Sequence, residues 1–370
     1  MITRVASITI IFAWALAGAS AWGFAPGAYT VDSTGDVGEY TSLVLDALGN
    51  PCISYHGNDT LKYAAWNGAS WDVSVVDSNA VTGWYTSLAL TGSGHPAISY
   101  YELGTYDLRL ASWNGSVWNT QTVDSTDAVG AYSSLALDGS GYARISYLDA
   151  TAGDLKYAAW NGSSWDVAAI DTAGSVGLYT SLAIDSSGYS HISYYDSTNG
   201  DLKYAAWNGA TWSISAVDTA GNVGQYTSLA LDSNGYAHIS YYDVVNADLK
   251  YAAWNGSSWD IQTVDSAGLL GEYTSLALDS NGNPIIAYYN TGDRDLRYAA
   301  WTGAAWDIRT LDAFDRVGSY ASLALTDCDI ALISYYDQTN GNLKLFVVPE
   351  PATLVLVAFG LAALVWRRRK

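Results

Sequence analysis

The sequence predicts an all-β protein, a seven-bladed β-propeller of four-stranded blades whose last blade is closed by an N-terminal strand. Three observations carry that prediction. The motif Y-[TSA]-S-L recurs at Tyr40, Tyr85, Tyr132, Tyr179, Tyr226, Tyr273 and Tyr320, spaced by 45 residues once and 47 five times. Each repeat holds four short apolar or aromatic segments divided by turn residues, which is the grammar of one propeller blade. The seventh repeat runs out after three segments, and the missing fourth stands at the front of the chain as Ala28-Tyr29-Thr30-Val31-Asp32. Three trailing strands and one leading strand complete a blade, so the ring closes without an open sheet face.

The fourth repeat shows the elements in order. Strands are expected at Tyr179–Asp185, His191–Asp196, Asp201–Trp207 and Trp212–Asp218, separated by turns such as D-S-S-G and W-N-G-A-T-W. In the first strand Thr180, Leu182 and Ile184 share one face and Ser181 and Ala183 the other. This predicts a bulky face on each blade packing against the small face of its neighbour, so that Ser181→Leu would overpack the ring. The third strand places one basic residue after Leu in every repeat: Lys62, Arg109, Lys156, Lys203, Lys250, Arg297 and Lys344. Local, solvent-exposed pairing is expected for these, as between Lys203 and Asp201 two positions away on the same face. The Asp that closes each fourth strand, from Asp32 onward, reads as a turn-former acting on its own backbone.

Composition narrows the function classes. The 370 residues carry a formal charge of −20, and the segment 22–348 alone holds 35 acidic and 11 basic side chains. Such a surface offers no basic stripe for phosphate, so a nucleic-acid partner is not expected. Two cysteines exclude a disulfide-rich scaffold. Cys52 and Cys328 fall in blades that adjoin across the closure, and a disulfide between them is expected to lock it in an oxidising compartment.

Both ends read as addresses. Residues 1–21 hold Arg4, an apolar run and Ala19-Ser20-Ala21, the pattern of a secretory signal peptide cut by signal peptidase. Residues 22–348 then form the propeller and 349–370 a second signal. There Pro349-Glu350-Pro351 precedes an apolar segment, Ala352 to Trp366, and the basic tail Arg367-Arg368-Arg369-Lys370. As a helix that segment would span about 22 Å, short for a hydrocarbon core of about 30 Å. The order of these three features resembles the PEP-CTERM sorting signal of Gram-negative bacteria. The resemblance implies an exosortase as processing partner, transient anchoring in the inner membrane, and a cell-surface or matrix destination.

Candidate functional residues lie in the repeat and in its deviations. Six repeats carry W-[NT]-G-x-x-W, including Trp66/Trp71 and Trp207/Trp212. These indoles read either as hairpin packing or as platforms for a sugar ring between blades. In Trp frequency and architecture they resemble bacterial and fungal propeller lectins. The residue before each motif Tyr varies, as do the loops between second and third strands, and both sets are expected on one rim. Trp84 and Tyr106 are the aromatic candidates there. No cofactor or metal is expected, since no D-x-D-x-D-G loop occurs. Neither H-E-x-x-H nor G-x-S-x-G is present, and the D-S-S-G turn lacks the full form of the sialidase Asp-box. The expectation is a non-catalytic binding or structural module of the extracellular polysaccharide matrix, with a polysaccharide or protein ligand. A lectin and a glycan-cleaving enzyme are the alternatives.

Overall fold

The computed structural model describes residues 24–349. The signal segment 1–21, Glu350, Pro351 and the basic tail lie outside the described residues. Within them, seven four-stranded antiparallel sheets follow one another around an axis, each joined in simple meander order. The fourth blade comprises an inner strand Val176–Ile184, a second strand Ser190–Asp196, a third Asp201–Trp207 and an outer strand Trp212–Asp218. The seventh comprises Val317–Leu325, Ala331–Asp337 and Asn342–Val347, with Gly27–Asp32 as its outer strand. Gly27 pairs with Val347 and Ala28 with Phe346 in antiparallel register. The closure read from the sequence is the one the fold adopts.

Six of the seven inner strands start three residues earlier than their motif suggests, and that of blade two one residue earlier, at Trp84; the reason is local. Val176 pairs with Asp196 and Leu178 with Tyr195, after which the register slips until Ser181 meets Ser193. The slip is a bulge. Tyr179 occupies it at φ 55°, and the other six motif tyrosines take φ between 52° and 56°. A left-handed tyrosine costs about 1–2 kcal/mol relative to an ordinary strand conformation. Gly177, two residues before, holds φ +92° with its Cα so close to the third strand that a Cβ would lie 2.8 Å from Leu155 Cα. The V-G-x-Y run is thus a bend that turns each linker into the inner strand.

The small face of each blade is a hydrogen-bonded seam, which corrects the packing picture drawn from alternation. The Ser of Y-[TSA]-S-L accepts from the backbone N–H of the motif Leu in the next blade at all seven junctions, as Leu229 N to Ser181 Oγ at 3.0 Å and Leu43 N to Ser322 Oγ at 2.9 Å across the closure. The preceding Thr or Ser donates back to the previous blade's tyrosine carbonyl, for example Thr180 to Tyr132 at 3.0 Å. It also meets a second-strand serine of that blade, as Ser146 meets Thr180 at 2.8 Å. Where blade six meets blade seven both members of this hydroxyl pair are alanine, Ala287 and Ala321, and both lie in one apolar cluster. Losing both partners together leaves no orphan donor, which makes the exchange tolerable.

A second inter-blade device is ionic. In every blade the second-strand tyrosine is fully buried and donates its hydroxyl to the Asp ending the previous blade's outer strand, at 2.5–2.7 Å. In five blades the third-strand lysine joins the same carboxylate oxygen, as Lys62 to Asp32 at 2.5 Å and Lys203 to Asp171. The ammonium also lies 5.5–5.8 Å from that tyrosine's ring centroid. The local, exposed pairing expected for this ring of bases is therefore corrected for the five lysines, while Arg109 does pair within its own blade, with Glu102 at 2.5 Å. Lys203 reaches across to Asp171, with Asp196 second at 3.7 Å, and not to Asp201. The turn-forming expectation for the Asp holds for its other oxygen: Asp32 Oδ1 accepts from the Thr34 amide at 2.9 Å. Burial pushes the Asp32 pKa upward, yet the Lys62, Tyr55 and Thr34 bonds together hold it below the ordinary carboxylate value.

The expected Cys52–Cys328 disulfide is not formed; both thiols are free. Cys52 is buried in the cluster that joins blade one to blade two, beside Leu88, Ile98 and Tyr100. Cys328 is exposed on a turn of blade seven, which adjoins blade one from the opposite side. Burial raises the Cys52 pKa.

Candidate functional site

The ring has two faces of different chemistry. One carries the linkers between blades and the loops between second and third strands. The other carries the turns between first and second strands and the W-[NT]-G-x-x-W hairpins.

On the linker face the seven motif tyrosines form a closed circle, each ring centroid 4.4–4.7 Å from the next. They narrow the axial channel and line, with the following Thr, Ser or Ala, a cavity of about 180 Å³. Burial is the main cause that raises the hydroxyl pKa of Tyr40, Tyr85, Tyr179, Tyr226, Tyr273 and Tyr320, that of Tyr40 to about 12. Around them stands a second circle of second-strand side chains. Trp84 is half-buried and stacks on Tyr40 at 5.4 Å and 27°, with His56 edge-on at 6.1 Å. Its buried indole N–H has no partner. Tyr106 stands apart, 51% exposed at a loop tip in the left-handed conformation. Trp84 and Tyr106 thus share the expected rim, but Trp84 is part of the channel wall. Two carboxyls face the same mouth, Glu39 and Glu272, and burial raises the pKa of both.

On the hairpin face the paired indoles lie 5.3–5.6 Å apart. Most are engaged by neighbours. Phe24 packs on Trp66 at 4.6 Å and Trp71 at 6.3 Å, and Tyr157 of the preceding blade meets Trp212 edge-on at 5.1 Å. Trp207 completes the pair with Trp212. Between blades one and two, however, an open cleft of about 540 Å³ remains, lined by Trp71, Trp113, Trp118 and Tyr63 with Asp72 and His95.

One turn residue sets the cleft's blade apart from three others. The position after the D-x-x-G turn is tyrosine in three blades, Tyr142, Tyr189 and Tyr236, whose rings lie over the hairpin glycine of their own blade: a Cβ on Gly162 would lie 2.9 Å from the Tyr142 hydroxyl. Blade two has His95 instead, and a Cβ on Gly115 would clear its ring by 3.6 Å. His95 lines the cleft beside the half-buried indoles of Trp71, Trp113 and Trp118. His95 was missed by motif reading because it breaks the repeat instead of forming one; comparing the seven turn ends position by position would have found it. Among the described residues no group of three or more His, Cys, Asp or Glu is placed to hold a metal ion.

Comparison with known proteins adds the address and the fold. Residues 347–370 match the PEP-CTERM protein-sorting motif. This chain carries an export signal. The PEP-CTERM motif indicates export, with a cell-surface or membrane-anchored destination, and implies exosortase processing. No curated protein matches the chain. Solved structures share its fold at low identity. The SapL1 lectin in complex with alpha methyl fucoside aligns with a TM-score of 0.54 and 15% identity, over 77% of this chain and 99% of that one. A PL25 ulvan lyase aligns at 0.60 and 14%, over 87% and 96%. YCF48 from Cyanidioschyzon merolae aligns at 0.57 and 12%, over 88% and 100%.

Proposed function

We propose that this PEP-CTERM propeller is a glycan-binding module of the cell surface or polysaccharide matrix, and that the cleft between blades one and two is its sugar site. The open cleft carries the proposal. Its volume lies in the range of about 300–1,000 Å³ usual for small-ligand sites. Three indoles and a phenol supply flat apolar surface for the C–H face of a pyranose, and Asp72 and His95 supply hydrogen-bonding groups for its hydroxyls. That a lectin and a polysaccharide lyase stand among the proteins with this fold supports a carbohydrate ligand.

The test is a titration of the full chain, purified in mild detergent, with neutral oligosaccharides, followed by tryptophan fluorescence. His95→Tyr restores the residue three other blades use and should close the cleft while leaving the fold intact. Loss of binding in His95→Tyr and Trp113→Ala, with unchanged far-UV circular dichroism, is the expected result. Full affinity in both variants rules the cleft out. Glu39 and Glu272, two carboxyls with raised pKa at the channel mouth, support a second reading as an enzyme that cleaves glycans. It predicts turnover of a bound polysaccharide that Glu39→Gln abolishes.

A further inference from the structure

Of the 11 basic residues between the two terminal segments, nine form ion pairs with carboxylates. Among the described residues the other two, Arg294 and Arg316, form no ion pair, and both are exposed on the linker face. They are also neighbours. Arg294 sits in the loop between the second and third strands of blade six, and its carbonyl accepts from the N–H of Val317 at 3.0 Å. Arg316, the residue before Val317, is held through its own N–H to Thr339 Oγ1 at 3.0 Å. The two unpaired guanidiniums of a strongly acidic body therefore flank one blade junction.

The phenol between them is unsatisfied in a way the repeat makes legible. In blade four Tyr195 donates its hydroxyl to Asn222 Oδ1 at 2.6 Å, and in blade seven Tyr336 donates to Asp36 Oδ1 at 2.5 Å. Both acceptors occupy the linker position just before the V-G bend. The equivalent tyrosine of blade six is Tyr289, and its linker position is Arg316, which can only donate. Among the described residues Tyr289 has no hydrogen-bond partner for its hydroxyl, as also holds for Tyr101 and Tyr242, whose linker positions are Ala128 and Leu269. Tyr289 is half-exposed, where Tyr195 and Tyr336 are each only 5% exposed. Both guanidiniums lie within electrostatic reach of it. Phe314, on the same linker, is 84% exposed.

Two cations and a phenol without an acceptor at one junction, with a bare aromatic ring on the same linker, suit an anion carried on a ring. We propose that Arg294, Arg316, Tyr289 and Phe314 form a second sugar site that selects an anionic sugar unit, a uronate or a sulfated residue. The guanidinium fork matches a carboxylate or sulfate, and Phe314 offers a stacking surface for the ring. Carboxyls border the site: Glu272 lies opposite Tyr289 in the strand register, and Asp293, Asp295 and Asp315 flank the two arginines in sequence. None forms an ion pair with Arg294 or Arg316, and Asp293 is taken by the Asn290 amide at 3.0 Å. Elsewhere among the described residues the bases are tied up in ion pairs, so these two guanidiniums are the cations available to an acidic glycan. The proposal rests on the glycan-binding reading only for the class of ligand, since the site lies on the opposite face from the tryptophan cleft.

The test is equilibrium binding of the full chain to oligogalacturonate, to dextran sulfate and to uncharged dextran, at low and at moderate salt. Arg294→Gln/Arg316→Gln should weaken the two acidic ligands about tenfold or more and leave dextran unchanged. Arg309→Gln removes one positive charge from the outer strand of the same blade and should change nothing. His95→Tyr should leave acidic-glycan binding intact, which separates this site from the cleft. Equal affinity of the double variant, an equal loss in Arg309→Gln, or equally tight binding of inorganic polyphosphate would each overturn the proposal.

Discussion

Cutting one inter-blade latch tests how the blades are held in register. Asp171 receives the Tyr194 hydroxyl at 2.7 Å, the Lys203 ammonium and the Ala173 amide at 3.1 Å, and its side chain is 5% exposed. Asp171→Ala leaves a buried ammonium and a buried hydroxyl facing an empty place. Breaking a buried pair from one side costs about 3–5 kcal/mol. Asp196, 3.7 Å from the same ammonium, supplies a partial substitute and places the expected loss near the lower end. Lys203→Met strands no cation and should cost less. Replacing both residues should cost clearly less than the sum of the two single changes, with a coupling of about 1–3 kcal/mol. Urea unfolding followed by tryptophan fluorescence gives the four stabilities. Simple addition of the two losses would mean that Lys203 and Asp171 are not energetically linked, and the latch would be refuted.

Further outcomes follow from the same geometry. The carboxyls of Asp32, Asp124, Asp171, Asp218 and Asp312 all have folded pKa values below their ordinary value. Their stabilisation is complete above about pH 4 and is lost on acidification through the folded values, so urea midpoints should fall steeply below pH 4, after a smaller decline below about pH 6.5 from His191 and His238, whose pKa burial lowers. Ser181→Ala should cost about 1–3 kcal/mol by orphaning the Leu229 N–H, and Ser181→Leu should cost more by adding bulk to that loss; a melting temperature unchanged in both contradicts the seam. In an absorbance titration, the seven latch tyrosines and channel tyrosines such as Tyr40, Tyr85 and Tyr226 should stay largely un-ionised at pH 11, since burial raises them, Tyr40 to about 12, and full ionisation of all tyrosines in the folded protein at that pH would contradict the closed circle. With a thiol reagent Cys328 should react at once and Cys52 only on unfolding.

The ring was legible because a 47-residue period repeats its punctuation, and because the segment ending at Asp32 fills the gap after Val347. What the repeat could not reveal is which copy of a residue meets which. Asp171 and Lys203 are 32 residues apart and in different blades, while Asp201 lies two positions away; strand alternation favours the wrong partner, and only the stacking of blades selects the right one. The seam serines failed for a similar reason. Small size and hydrogen-bonding capacity are the same letter in a sequence, and the bulge at Tyr179 aims Ser181 at a neighbouring backbone. The C-terminal sorting motif was legible as composition in order. The candidate sites were not, because His95 and Arg316 matter through departing from the repeat, and a departure acquires meaning only once the consensus residue's contacts are known.

Ring closure by the chain's own ends is the claim on which the two faces and their sites depend. Ala28 and Phe346 are directly opposed across the closing strands, and opposed residues of an antiparallel pair lie within disulfide reach. In the full chain with Cys52→Ala and Cys328→Ala, the pair Ala28→Cys/Phe346→Cys should oxidise quantitatively within one molecule, leaving a native circular dichroism spectrum and a monomeric band. Free thiols, or cross-links that join two molecules, would show that the leading strand does not complete the seventh blade.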